Sequence, residues 1–171
     1  MSFLSRLFAR QADPRDRLKP LWHALVALSR QPRWYADLGV ADTVAGRFDM
    51  VSTITSLALI RLEREDERGP EVTLLTELFI EDMDGQLRES GVGDVVVGKH
   101  VGKLMSAFGG RMGAYRDSLT ASDDTALEEA VWRNVTLLEG ASHAPLAAAL
   151  RAQYERFLAI DAEAFAAGNL S

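Results

Sequence analysis

Apolar residues recur at three- and four-residue intervals along almost the whole chain, and no run alternates apolar and polar residues long enough to form a strand. The first stripe, Leu18, Leu21, Trp22, Leu25 and Leu28, predicts a helix from Arg15 to Ser29. Gln31-Pro32 ends it, because a residue preceding proline is driven out of the helical region. A short helical turn follows at Arg33 to Asp37 and stops at Gly39. Asp42 or Thr43 then caps a helix that runs to about Glu65 through Val44, Phe48, Val51, Ile54, Leu57, Ala58 and Ile60. Small and apolar residues surround most of its circumference, so it should be the central, buried helix. The charged stretch from Glu63 to Arg68 and Gly69-Pro70 mark the next boundary. A third helix is expected from Glu71 to Glu89 with Val72, Leu75, Phe79, Met83 and Leu87 inward, until Gly91-Val-Gly93 breaks the chain.

The fourth helix, Val97 to Leu119, carries two distinct faces when residues are advanced by about 100° each. Val101, Leu104, Met105, Phe108, Met112, Tyr115 and Leu119 form a core stripe. Gly98, Gly102, Ser106, Gly109 and Gly113 lie about a third of a turn away, and each helix-interior glycine costs ~1 kcal/mol relative to alanine. Several such penalties on one side predict close approach of a second backbone, either an internal neighbour, the preferred reading, or a partner segment. Two further helices follow, Thr125 to Leu138, with Ser122 and Asp123 available as caps, and Pro145 to Ala166. The connections are short, which implies an all-α, single-domain bundle of about six or seven largely antiparallel helices over residues 14–171. Residues 1–13 are expected to form a flexible or amphipathic N-terminal segment.

Composition narrows the functions available. The 171 residues, 47% apolar and 26% charged, suit one domain folded around a core. A net charge of −6 would repel a phosphate backbone, so no nucleic-acid partner is expected. No cysteine is present, which removes disulfides, thiolate nucleophiles, iron–sulfur ligation and cysteine-based zinc sites together. The apolar runs fall far short of the ~20 residues a spanning helix needs, so the chain is not expected to cross a membrane. The first ten residues place Phe3, Leu4, Leu7 and Phe8 among Arg6 and Arg10, too short and too charged for a secretory signal. That segment either frays or docks on its own domain, or it lies on an anionic membrane surface as a peripheral anchor.

Candidate chemistry is sparse. Gly93-Asp-Val-Val-Val-Gly98-Lys99 has the spacing of a phosphate-binding loop. However, a helix precedes it, His100 stands where a magnesium-binding hydroxyl belongs, and three valines stiffen it. Glu81-Asp82-Met-Asp84 offers oxygen ligands but lacks the further ligand, glycine and closing glutamate of a calcium loop, so salt bridges or capping are the expected fate of these acids. His23, His100 and His143 are far apart, and no Gly-x-Ser-x-Gly elbow exists. No catalytic residue, metal or cofactor is expected, and an enzyme using Gly98-Lys99 or the Asp82/Asp84 cluster is the lesser alternative. Charged residues do stand within apolar helices: Arg47 and Asp49 flank Phe48, Asp82 and Arg88 share the third helix, and Arg111 adjoins Phe108 and Met112. Two readings stand for them, an internal network that fixes helix register or a polar-rimmed recognition surface.

An ordered string of motifs then points to a family. Trp34-Tyr35 precedes Gly39-Val40, Asp42-Thr43 and Gly46-Arg-Phe-Asp-Met50. After these come Glu81-Asp-Met-Asp84, Leu87-Arg-Glu89, Gly91-Val-Gly-Asp94, Val97-Gly-Lys99, Phe108-Gly-Gly-Arg111 and Ala114-Tyr115. The string, across Gly39 to Leu119, resembles the ubiquinol-cytochrome c chaperone family. Members in mitochondria act in assembly of the cytochrome bc1 complex, binding newly made cytochrome b with a small partner subunit beside the ribosome exit. The resemblance implies a bacterial, non-enzymatic counterpart that holds cytochrome b or another bc1 subunit. It also implies a cytoplasmic location, peripheral at the inner face of the inner membrane. A peripheral membrane scaffold is the alternative. The expected mechanism is a groove between helices that receives an apolar client segment while rim charges set its orientation. Arg47, Asp49, Asp82, Asp84, Arg88, Asp94, Lys99 and Arg111 are the expected rim, and Phe48, Phe108 and Tyr115 the apolar contacts. Phe108-Gly109-Gly110-Arg111 departs from the family's usual Phe-Tyr-Gly-Arg, so any contact made by that tyrosine is missing.

Overall fold

The computed structural model describes residues 13–89 and 94–170, and at 87–89, 94–101, 103 and 104 it describes backbone only. A 3-10 turn, Pro14–Leu18, leads into α1 (Lys19–Ser29), followed by α2 (Pro32–Ala36) and α3 (Val44–Leu62). After a second 3-10 turn, Asp66–Arg68, come α4 (Gly69–Glu89), α5 (Asp94–Thr120), α6 (Thr125–Asn134), α7 (Ala144–Ala159) and α8 (Ala162–Ala166). The molecule is an all-α bundle, as the periodicity predicts.

α3 is the central helix, packed against α1, α4, α5 and α7. Every residue from Asp49 to Leu62 is buried. Thr43 Oγ1 caps its start by accepting from Gly46 N at 3.2 Å. Val44 departs from the expected inward set and is 89% exposed, whereas Gly46 in the same turn is buried against Ala41. Most polar side chains within so buried a helix find partners, Thr55 Oγ1 being an exception among the described residues. Ser52 and Ser56 donate to the carbonyls of Phe48 and Ser52, each at 2.8 Å. Trp22, Phe79 and Phe108 form an aromatic ladder from α1 through α4 to α5, the last two stacked with centroids 4.3 Å apart.

Three expected helices break where other chemistry competes. Pro20 supplies no N–H, so the run from Arg15 divides into a 3-10 turn and α1. The helix expected to reach Leu138 stops at Asn134, since residues 136–138 pair in antiparallel fashion with 39–41: Ala41 N donates to Thr136 O at 2.9 Å and Leu138 N to Gly39 O at 2.8 Å. Gly39 sits at φ 73°, where a side chain would be strained and would press Ala141. The helix expected to reach Ala166 is interrupted by extended Ile160, and Asp161 Oδ1 restarts it by accepting from Glu163 N and Ala164 N at 3.0 and 3.1 Å.

Candidate functional site

The charged residues within the apolar helices divide into two groups. Asp49 on α3 and Arg111 on α5 form a buried pair, Arg111 Nη2 donating to Asp49 Oδ1 at 2.8 Å with each side chain only 12% exposed. The second oxygen of Asp49 accepts from Thr136 N at 3.0 Å and Thr136 Oγ1 at 2.7 Å. One carboxylate thus ties α3, α5 and the extended segment after α6, while the Arg111 guanidinium also lies 5.7 Å from the Phe48 ring. For these two residues the network reading holds, and their placement on an open rim is corrected: leaving either charge unpaired here would cost several kcal/mol. Arg47 belongs to the other group. Its side chain is 61% exposed and its Nε donates to Asp42 Oδ1 at 2.6 Å, beside a cleft.

The expected apolar contacts change likewise. Tyr115 is fully buried, its hydroxyl 3.0 Å from Thr53 Oγ1, and burial pushes its pKa up to about 12. Phe108 is buried in the aromatic ladder. Both are core side chains rather than surface contacts, because each lies on the face that α5 turns toward α3 and α4. Phe48 stays half-buried against the core.

The acidic cluster on α4 is spent in part on partners within the fold. Glu81 pairs with Arg15 at 2.6 Å and Asp82 Oδ2 accepts from Gln86 at 3.2 Å. Asp84 is half-buried on the same helix. Among the described residues, no three His, Asp or Glu side chains group as a metal site. The side chains of Arg88, Asp94 and Lys99 lie outside the described residues. The backbone from Asp94 to Lys99 is the first part of α5, helix rather than a phosphate-cradling loop.

The glycine-bearing face of α5 overturns the expectation of an internal neighbour. Among the described residues, a Cβ built at Gly102, Gly109 or Gly113 would meet nothing within 4 Å. Gly102, Ser106 and Gly109 are exposed, and Met105, expected in the core stripe, is 39% exposed. Gly98 lies outside the described side chains. No described residue therefore covers the backbone of α5 along one side for at least two turns.

Sequence reasoning missed two arginines that close helix ends. Arg61 donates through Nε to Phe157 O at 3.0 Å and through Nη2 to Ile160 O at 3.3 Å, and pairs with Glu65 at 2.6 Å. Arg151 pairs with Asp124 and reaches the carbonyls of Ser118 and Leu119 at 3.4 Å each. Each cation satisfies orphan carbonyls at the C-terminal end of another helix, α7 and α5 respectively. A signal existed for Arg61, a charge set among Leu59, Ile60 and Leu62 on the helix expected to be central and buried.

No described helix is long and apolar enough to cross a membrane. Comparison with curated proteins gave no match. The crystal structure of the Cbp3 homolog from Brucella abortus is similar, with a TM-score of 0.81 and 36% sequence identity over 98% of this chain and 95% of that one. The family model described as ubiquinol-cytochrome C chaperone matches residues 36–171, so the match extends beyond the motif string through the last helices. With the fold, the ordered motifs and this coverage in agreement, the chain belongs to the ubiquinol-cytochrome C chaperone family.

Proposed function

We propose that this protein is a non-catalytic chaperone of bc1-complex assembly that holds cytochrome b through the bare face of α5. Family membership supports the assembly role and a protein client. The observation that carries the mode of binding is the open surface at Gly102, Ser106 and Gly109, where no atom among the described residues would oppose a Cβ at either glycine. Small residues at such spacing let a second helix approach to backbone contact, the packing that apolar membrane helices use with one another. A client helix laid there would meet the thioether of Met105, a flexible contact suited to varied apolar partners.

In this reading Asp49 and Arg111 act indirectly by fixing α5 against α3, and Phe108 and Tyr115 anchor its other side. Arg47, Asp82, Asp84, Arg88, Asp94 and Lys99 are proposed as the charges that orient the client. Residues 14–171 act as one helical domain, working in the cytoplasm at the inner membrane face, with residues 1–10 as an added membrane contact and a small partner subunit or the ribosome nearby. The test is affinity capture from detergent-solubilised host membranes with tagged full-length protein. Enrichment of cytochrome b over other membrane proteins is the expected result; capture dominated by a protein outside the bc1 complex would overturn the assignment.

A further inference from the structure

The cleft beside Arg47 is lined by Arg30, Pro32, Tyr35, Ala36, Asp42 and Arg47 and has a volume of about 300 Å³. Its charges are unevenly matched. Arg30 follows the last residue of α1, is exposed, and makes no ion pair among the described residues. Arg47 is paired only through Nε, leaving both terminal nitrogens of its guanidinium without a hydrogen bond among the described residues. Tyr35 donates its hydroxyl to Ser29 O at 2.9 Å, which satisfies a carbonyl at the end of α1 and keeps the ring across the floor. Burial raises the Tyr35 pKa, and Arg30, Asp42 and Arg47 line the same cleft as its ring.

Two guanidiniums and one carboxylate leave a single positive charge at this cleft, in a chain whose net charge is −6. We infer that the cleft is a receptor for one carboxylate side chain of a partner polypeptide, held between the free guanidinium edges of Arg30 and Arg47 with its methylenes against Pro32 and Ala36. The inference rests on the client-holding reading only for the ligand being part of a protein. Asp42 already shows that Arg47 takes a carboxylate in this setting. The same Asp42 argues against a phosphate monoester, whose second charge it would repel. A membrane surface fits poorly as well, since lipid headgroups are gathered by several cations on a projecting surface rather than by a concave cleft with an acid in its wall.

The test titrates isolated full-length protein with N-acetyl-glutamate N-methylamide while following the Nε–Hε resonances of arginine by NMR. Saturable shifts at Arg30 and Arg47 are expected, with none from the glutamine analogue. Arg30→Gln or Arg47→Gln should each abolish saturation; both side chains are exposed, and far-UV circular dichroism will report an intact fold. Asp42→Asn, which removes a competing carboxylate, should tighten binding about fivefold, the upper range for an exposed ionic contact. An equal response to the glutamine analogue, retention of binding in both arginine variants, or a response confined to inorganic phosphate or phosphatidylglycerol vesicles would overturn the inference. Failure of the client reading is distinguishable: cytochrome b would then be absent from captures by wild-type protein whatever the titration shows.

Discussion

Replacing Asp49 with alanine should be among the most damaging single changes to this fold. The carboxylate accepts from Arg111 at 2.8 Å and from Thr136 N and Oγ1 at 3.0 and 2.7 Å. Its removal strands a guanidinium that is itself 12% exposed, and breaking a buried ion pair from one side costs ~3–5 kcal/mol. Partial hydration places the expected loss near the lower limit, while the stranded Thr136 N–H adds ~1 kcal/mol. A total of about 3–4 kcal/mol is a large share of the ~5–15 kcal/mol that stabilises an ordinary domain. In a chain of this size it lowers the melting temperature by roughly 10 °C. Urea denaturation followed by circular dichroism measures the free energy directly. Arg111→Met should cost less, since Asp49 keeps both Thr136 donors. The double variant should recover ~1–2 kcal/mol relative to the sum of the single changes, as coupled pairs do. A cost for Asp49→Ala below about 1 kcal/mol, or strict additivity with Arg111→Met, would refute the idea that this carboxylate is the tie among three segments.

Three other changes probe separate parts of the structure. Gly46→Ala should destabilise by ~2–4 kcal/mol in the same denaturation assay, because the new Cβ would lie 2.0 Å from Ala41 O and force α3 off the 39–41 segment. Gly109→Ala should act oppositely, stabilising by about 0.5–1 kcal/mol, since the position is helical and open and alanine has the higher helix propensity. Tyr115 gives a pH prediction: its folded pKa of about 12 exceeds the unfolded value of 10.0, so the folded state binds the proton more tightly between those values. Its contribution is intact below pH 10 and is lost as pH rises toward 12, by ~1.4 kcal/mol per unit at most; the difference between wild type and Tyr115→Phe should show that slope, and parallel pH profiles would contradict it.

How far the sequence could be read depended on how local each determinant was. The inward stripes of α1 and α4 and the burial of α3 follow from periodicity, because a helix in a bundle must hide one apolar face. Element ends were less legible. Pro20 was visible, but its effect on the turn before it was overlooked; the end of α6 at Asn134 depends on residues 39–41 and 49, nearly a hundred positions away. The same distance hid the helix-closing roles of Arg61 and Arg151. Tyr115 and Phe108 lie on the α5 core stripe that periodicity predicts, and their burial excludes the client-contact role that the resemblance implies for them. The glycines of α5 gave the opposite lesson. Their spacing announces a close neighbour, and the described residues supply none at Gly102, Gly109 or Gly113.

That open face is also where the account is most directly tested. A photo-crosslinking amino acid placed at Ser106 in the native host should yield an adduct with cytochrome b on irradiation, while the same group at exposed Glu155 on α7 should not. Adducts at both positions alike, or capture of cytochrome b from Glu155 alone, would contradict a client held along α5.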